Sequence, residues 1–314
     1  MSERATALQM NPLSSYLEER LRERFDVVRW FELDPAGRTA WLAQCAPSVR
    51  AVVAGGDFGC SNELMESLPA LGIIAINGVG LDKVDLEHAR RRGVRVTTTP
   101  GALTEDVADL AVGLVIALLR AIPAADAHVR SGAWHKGSAP LGRKVSGRRF
   151  GIVGLGRIGA AIAERLAVFG PVAYTSRQRH SVHYDFYPDA ITLARASDVL
   201  VVACAANATT YRLIGGAVID ALGREGYLIN IARGSVVDEN AVARALDAGR
   251  LAGAALDVFE NEPQVPQTLL ASGRTVLTPH IASATIETRM RMADMVLASL
   301  DAFLSGASPP SAVV

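Results

Sequence analysis

The chain has 314 residues, half of them hydrophobic, with 32 Lys and Arg against 32 Asp and Glu, so it can bury a large core and its length favours two domains over one. A formal charge of zero leaves no net field to draw in nucleic acid or an anionic membrane, and a small-molecule partner becomes the expectation. Three cysteines, Cys45, Cys60 and Cys204, are scattered singly with no CxxC pair, which argues against a disulfide framework or a metal site and fits a reducing cytoplasm.

The opening segment, MSERATALQMNPLSSYLEERL, lacks a basic head followed by an apolar run, so no signal peptide is read there. Short apolar runs, FDVVRWF, VRAVVAG, GIIAING and GVRVTTTP, alternate with amphipathic patterns such as SSYLEERLRERF and LDKVDLEHARRRG. That alternation predicts a parallel sheet covered by helices. The series ends near Pro100. A long helical pattern then opens after Thr104, whose hydroxyl can cap it, with Glu105 and Asp106 suited to the positive first turn. Its apolar part, residues 107–122, falls short of the ~20 residues of a membrane span and is interrupted by Asp109 and Arg120, so a single buried helix over 104–122 is expected. The Gly/Ser/Arg-rich stretch 131–149 reads as loop.

A second βα series starts at Arg149 and runs through FGIVGLGRIGAAIAERLAVFG, PVAYTS, SDVLVVAC, EGYLINIARG, GRLAGAALDVF and RTVLTPH. The last helical pattern, SATIETRMRMADMVLASLDAFLSG, follows its final strand. We expect that helix to return to the first domain. The boundaries are then 1–99 with 285–314 for a discontinuous substrate domain, and 100–284 for a dinucleotide-binding domain.

GIVGLGRIG places Gly154, Gly156 and Gly159 after an apolar strand and at the start of a helix, with Leu155, Arg157 and Ile158 between them. The first glycine permits a tight turn, the second lets the backbone approach a diphosphate at the positive helix end, and the third lets helix and strand pack closely. About 20 residues on, an Asp or Glu would bind the ribose 2′-hydroxyl of NAD. The strand instead ends AYTSRQR, with Ser176, Arg177 and Arg179 and no carboxylate. A hydroxyl and guanidinium groups can donate to a 2′-phosphate, so NADP(H) is expected as the preferred cofactor and NAD(H) as the alternative. Solvated loop arginines are the plainer explanation of the same residues.

Three strand-end segments carry further candidates: Arg233 in LINIARG, Asp257 and Glu262 in ALDVFENEP, and His280 in VLTPH. Open α/β sheets bind ligands beyond the carboxyl ends of their strands. Hydride arriving at a ketone leaves charge on oxygen that a cationic histidine can neutralise, and of six histidines only His280 follows an apolar strand. A neighbouring carboxylate, Glu262, would orient the ring and favour its charged form. Arg233 would hold a substrate carboxylate and polarise the carbonyl. Taken singly, each could equally be a core histidine, a turn carboxylate, a loop cation or a cap.

In order and spacing, GLGRIG, INIARGSVVDE, GAALDVFENEP and LTPHIASAT resemble the signature segments of the D-isomer-specific 2-hydroxyacid dehydrogenases. Within that family, MNPLSSYLEERLRERFDVVRW, INGVGLDKVDLE and YTSR look most like the NADPH-preferring glyoxylate/hydroxypyruvate and hydroxyphenylpyruvate reductases. The resemblance covers essentially the whole chain. It implies an α/β fold of two Rossmann-like domains, a flavodoxin-like substrate domain and a doubly wound NAD(P)-binding domain, with an active-site cleft between them. By matched motif it makes Arg233 the substrate-binding arginine, Glu262 the partner of the histidine and His280 the proton donor. Asp257 would hold the nicotinamide carboxamide, with Thr210, Ile231 and Ala282 lining the cofactor. The backbone amides of Val79 and Gly80 would receive the substrate carboxylate, with the loop at Gly55 beside them. The resemblance also implies a homodimer formed through helix 104–122, with Trp134 at the rim of the partner's pocket. The chain departs from the family pattern at Ala205, where proline is common. Implied substrates are glyoxylate, hydroxypyruvate or an aryl pyruvate. A nucleotide-sensing corepressor-like protein on the same fold is the alternative function.

Overall fold

A computed structural model describes residues 4–314. The chain forms two compact units, the first running to Leu103 and resuming at Thr285, the second spanning Thr104–Ala284.

In the first unit, strands β1 (Thr6–Gln9), β2 (Asp26–Arg29), β3 (Val49–Gly55), β4 (Ile73–Asn77) and β5 (Arg95–Thr97) alternate with helices α1 (Ser15–Arg24), α2 (Pro35–Cys45), α3 (Asn62–Ser67) and α4 (Leu86–Arg91). The parallel sheet has the order β2-β1-β3-β4-β5, the flavodoxin-like winding. Local chemistry sets the helix starts: Ser14, Asp34, Ser61 and Asp85 each accept a backbone N–H of the first turn. Strand β1 is absent from the elements read off the sequence. Its four residues, TALQ, show no β-branched run, yet all are buried and the strand pairs on both sides. A strand covered on both faces loses the alternation that marks half-buried ones.

The second unit is a seven-stranded parallel sheet of β6 (Phe150–Val153), β7 (Val172–Thr175), β8 (Asp185–Phe186), β9 (Val199–Val202), β10 (Tyr227–Asn230), β11 (Gly253–Leu256) and β12 (Thr275–Leu277). Their order is β12-β11-β10-β9-β6-β7-β8, so the winding reverses beside β6 and creates a ligand-binding switch point at the carboxyl ends of β6 and β9. Helices α5 (Thr104–Leu119), α6 (Ile122–Arg130), α7 (Arg157–Leu166), α8 (Ala190–Arg195), α9 (Gly216–Leu222), α10 (Glu239–Asp247) and α11 (Gln267–Ala271) cover it. Every residue of β6, β9, β10 and β11 is buried, as expected of central strands with helices on both faces.

The single helix expected over 104–122 is two. Helix α5 stops at Leu119, Ala121 is left-handed with φ 53°, and α6 leaves at 61° to α5. Pro123 has no N–H to continue the ladder, and the Leu119 carbonyl accepts the Arg143 N–H at 2.6 Å instead. Thr104 is the first residue of α5. The helix buries Val107, Ala108, Ala111, Leu114, Val115 and Leu118. Among the described residues no single helix is long and apolar enough to cross a membrane. The 131–149 stretch contains one 3₁₀ turn, Ala133–Lys136, which leaves Trp134 67% exposed.

The chain then re-enters the first unit as α12 (Ile286–Leu304), where Ala293, Val296, Leu297 and Leu300 pack with Leu17, Leu21, Ile73 and Ala75. Tyr16 donates to Asp294 at 2.7 Å and Arg24 pairs with Asp301 at 2.6 Å, tying the two ends of the chain together. The three cysteines are free. Burial pushes the Cys60 thiol up to about 12 and that of Cys204 to about 11, so both stay protonated at neutral pH.

Candidate active and cofactor site

The glycine turn after β6 is tight for identifiable reasons. Gly154 has φ 97°, and a Cβ on it would fall 2.6 Å from the Cys204 Cα. A Cβ on Gly159 would overlap the Gly154 carbonyl. At Gly156, the cap of α7, a Cβ would meet nothing within 4 Å, so a side chain there would occupy open space above the helix N-terminus. Exposed Arg157 and half-buried Ile158 begin that helix, and Leu155 is buried beneath the turn. The first N–H groups of α7 have no intrahelical acceptor. A diphosphate fits this cradle in charge and in clearance.

After β7, half-buried Ser176 donates its hydroxyl to the Gln178 carbonyl, and is thereby engaged in its own turn. Arg177 and Arg179 are exposed, and among the described residues neither guanidinium has an ion-pair or hydrogen-bond partner. Thr210 accepts the Asn207 N–H at 2.9 Å and donates to the Ala205 carbonyl at 2.8 Å, closing its loop on itself. Ile231, just beyond β10, is buried.

Arg233, Glu262 and His280 come together at the carboxyl ends of β10, β11 and β12. Asn230, fully buried at the end of β10, accepts the Ala232 N–H at 3.1 Å and donates to the Arg233 carbonyl at 3.0 Å. This brace bends the chain so that Arg233 emerges extended, with its guanidinium half-buried and donating to the Ala232 carbonyl at 2.8 Å. Glu262 accepts the Phe259 N–H on Oε1 at 2.8 Å and meets His280 Nδ1 with Oε2, also at 2.8 Å. Burial works to raise the Glu262 carboxyl. The hydrogen bonds from His280 and Phe259, with the charges of His280 and Arg233, outweigh it and hold the group below its ordinary value.

His280 itself is left-handed, φ 53°, a conformation a non-glycine residue adopts only when its surroundings impose it. Asp257 imposes it. The Asp257 side chain is completely buried, and its Oδ1 accepts Thr278 Oγ1 at 2.6 Å and the Ile281 N–H at 2.9 Å, while Oδ2 accepts the Ala282 N–H at 3.0 Å. Its carbonyl accepts the His280 N–H at 2.8 Å. Three of about four acceptor positions on the carboxylate are thus spent on the histidine turn, a supporting role that the sequence reading does not include. Asn230 and Thr278 are likewise missed there. Their only signal is position at a strand end.

In the first unit, Gly55 gives its N–H to Asn11 Oδ1 at 2.7 Å. The next residue, Gly56, lies against Gly80, where a Cβ would sit 3.2 Å from the Gly80 carbonyl, so the two loops run side by side. Val79 is 39% exposed. Among the described residues no backbone carbonyl accepts from the N–H of Val79 or Gly80.

Comparison with known proteins agrees with this architecture. A family model described as "D-isomer specific 2-hydroxyacid dehydrogenase, NAD binding domain" matches residues 112–282. The chain is 50% identical over 301 residues to a hydroxyphenylpyruvate reductase of Plectranthus scutellarioides, covering 95% of this chain and 96% of that protein. It is 48% identical over 309 residues to a glyoxylate/hydroxypyruvate reductase of Arabidopsis thaliana, covering 98% of each. Among solved structures, an NADPH-dependent glyoxylate/hydroxypyruvate reductase of Sinorhizobium meliloti, in complex with NADP and malonate, matches with a TM-score of 0.93 at 40% identity, over 99% of this chain and 97% of that one. The chain therefore belongs to the D-isomer specific 2-hydroxyacid dehydrogenases, and is an oxidoreductase with a nicotinamide-nucleotide-binding domain.

Proposed function

We propose that the protein reduces a 2-oxo acid to the D-2-hydroxy acid with NADPH, and that His280 donates the proton. The observation that carries this is the 2.8 Å contact of His280 Nδ1 with Glu262 Oε2 beside the half-buried Arg233. Bound reduced nicotinamide supplies the hydride. With Nδ1–H engaged by the carboxylate, Nε2 is the nitrogen whose proton goes to the nascent alkoxide. Glu262 keeps the imidazole oriented and favours its charged form. Arg233 binds the substrate carboxylate and stabilises charge on the carbonyl oxygen. Val79 and Gly80 are the proposed backbone N–H donors to substrate in the first unit. Asp257 is the proposed acceptor for an N–H of the nicotinamide carboxamide, through the same Oδ2 that takes the Ala282 N–H.

Preference for NADPH is supported by the missing carboxylate after β7 and by the uncommitted Arg177 and Arg179, with NADH as the weaker alternative. The names of the relatives point to glyoxylate, hydroxypyruvate and hydroxyphenylpyruvate as substrates. We further propose a cytoplasmic homodimer in which Trp134 reaches a partner, to be checked by sedimentation velocity. The deciding experiment is steady-state kinetics on those three acids with NADPH and with NADH, with chiral analysis of the product. Turnover of at least one, faster with NADPH and giving the D-isomer, is expected. Failure on all three with both nucleotides would overturn the assignment.

A further inference from the structure

The loop that presents Glu262 rests on a carboxyl that the proposed reaction does not use. Glu239 opens α10 and is only 7% exposed, and its Oε1 accepts the Glu260 N–H at 2.7 Å. The cation nearby, Arg212, is paired with Glu260 at 3.2 Å, and the other Glu260 oxygen takes the Tyr211 hydroxyl at 3.0 Å. Three carboxyls, Glu239, Glu260 and Glu262, therefore cluster here with Arg212, which pairs with Glu260, and with His280 and Arg233, whose charges act on Glu262. Burial pushes the Glu239 carboxyl up, and the charges of Glu260 and Glu262 add to this, against the Glu260 N–H and Arg212.

An apolar residue would fill this place at lower desolvation cost. What a carboxyl supplies is an acceptor at one particular point. The turn that carries Arg233 continues into Glu239, and its Gly234 lies so close to the Phe259–Glu260 backbone that a Cβ would overlap it. The Arg233 turn and the Glu262 loop are thus in backbone contact at Gly234 and bridged once more by Glu239. The next residue but one on from the bridge, Glu262, makes the contact to His280.

We infer that Glu239 is a positioning residue: by accepting the Glu260 N–H it fastens the 259–262 loop to the Arg233 turn, and so sets the Glu262–His280 hydrogen bond and its placement beside Arg233. This rests on the proposed roles of those three residues, but it is testable apart from them. Glu239→Gln keeps an Oε1 acceptor; Glu239→Met keeps length and volume without one. Two readouts apply to the full-length protein: kcat and KM for reduction, and the His280 imidazole titration followed by NMR, which needs no turnover. The Gln variant should stay within about twofold of wild type, whereas the Met variant should lose about tenfold in kcat, the scale of a buried donor left unsatisfied, with KM for NADPH unchanged. In the Met variant the His280 titration should move to lower pH, because its carboxylate partner is held less closely. Where the Met variant does not fold, Glu239→Asp, which withdraws the acceptor by one methylene, should show the same losses. A folded Met or Asp variant with wild-type kcat and His280 titration overturns the inference, as does a Gln variant as impaired as the Met one. A wild-type protein inactive on every 2-oxo acid would instead defeat the proposed reaction, and the NMR titration would still decide the role of Glu239.

Discussion

The loops after β10, β11 and β12 hold Arg233, Glu262 and His280 through hydrogen bonds given by Asn230 and Phe259 and accepted by Asp257, whereas the loop after β7 leaves Arg177 and Arg179 exposed and, among the described residues, without partners. Proton transfer needs the donor held within a narrow range of position before the reaction begins, so the ordering cost is met in folding. A clamp for a phosphate needs no such fixation. Long guanidinium side chains can be ordered by the ligand itself, at a cost in rotamer freedom that lowers the net gain of each contact. Substitutions in the first region should therefore change kcat and be large, and those in the second should change cofactor KM and be modest.

The sharpest way to break this contrast is His280→Ala. Removal of the proposed proton donor should lower kcat by roughly 10²–10⁴, while NADPH binding measured by fluorescence titration stays as in wild type; an unchanged kcat would remove His280 from the mechanism. Next is Arg233→Lys, which keeps the charge but loses the planar fork. We expect kcat/KM for the 2-oxo acid to fall about 100-fold, and retention of wild-type efficiency would mean that bidentate binding is not used. Arg177→Ala should raise KM for NADPH about tenfold and leave that for NADH unaltered; equal effects on both nucleotides would refute the 2′-phosphate clamp.

The smallest expected effect concerns stability against pH. The folded structure holds the Glu262 carboxyl below its ordinary value of 4.5. Its contribution is therefore fully present above that value and is lost as pH falls through the lowered one. Glu262→Gln lacks this contribution, so its Tm deficit against wild type should be greatest above pH 4.5 and shrink on acidification. A deficit that grows on acidification would contradict the pairing. In the same variant the alkaline limb of kcat should move to lower pH, because the imidazolium loses its counter-charge.

Much of this site was legible because its signals are local. Glycine spacing between an apolar strand and a helix, and titratable residues just past strand ends, require no knowledge of distant contacts. The absence of an acid after YTS was equally readable. Other features were hidden for stated reasons. Strand β1 has no alternation because both of its faces are covered. The break after Leu119 depends on Arg143 taking the carbonyl that Pro123 cannot use. The hydrogen bond that Ser176 gives to the Gln178 carbonyl was likewise not readable from YTSR.

By itself the sequence determined two parallel α/β units, the nucleotide turn at Gly154–Gly159 and the residue types available for acid–base and anion chemistry, since periodicity and motif spacing are properties of contiguous residues. Only the tertiary structure decided which of those residues meet one another and which brace the turns that carry them. Asp257 faces the turn of His280, and Glu239 faces the loop of Glu262, across about 20 residues of intervening chain in each case. Such pairings follow from how parallel strands bring their carboxyl ends to one edge, which folding establishes and no local pattern encodes.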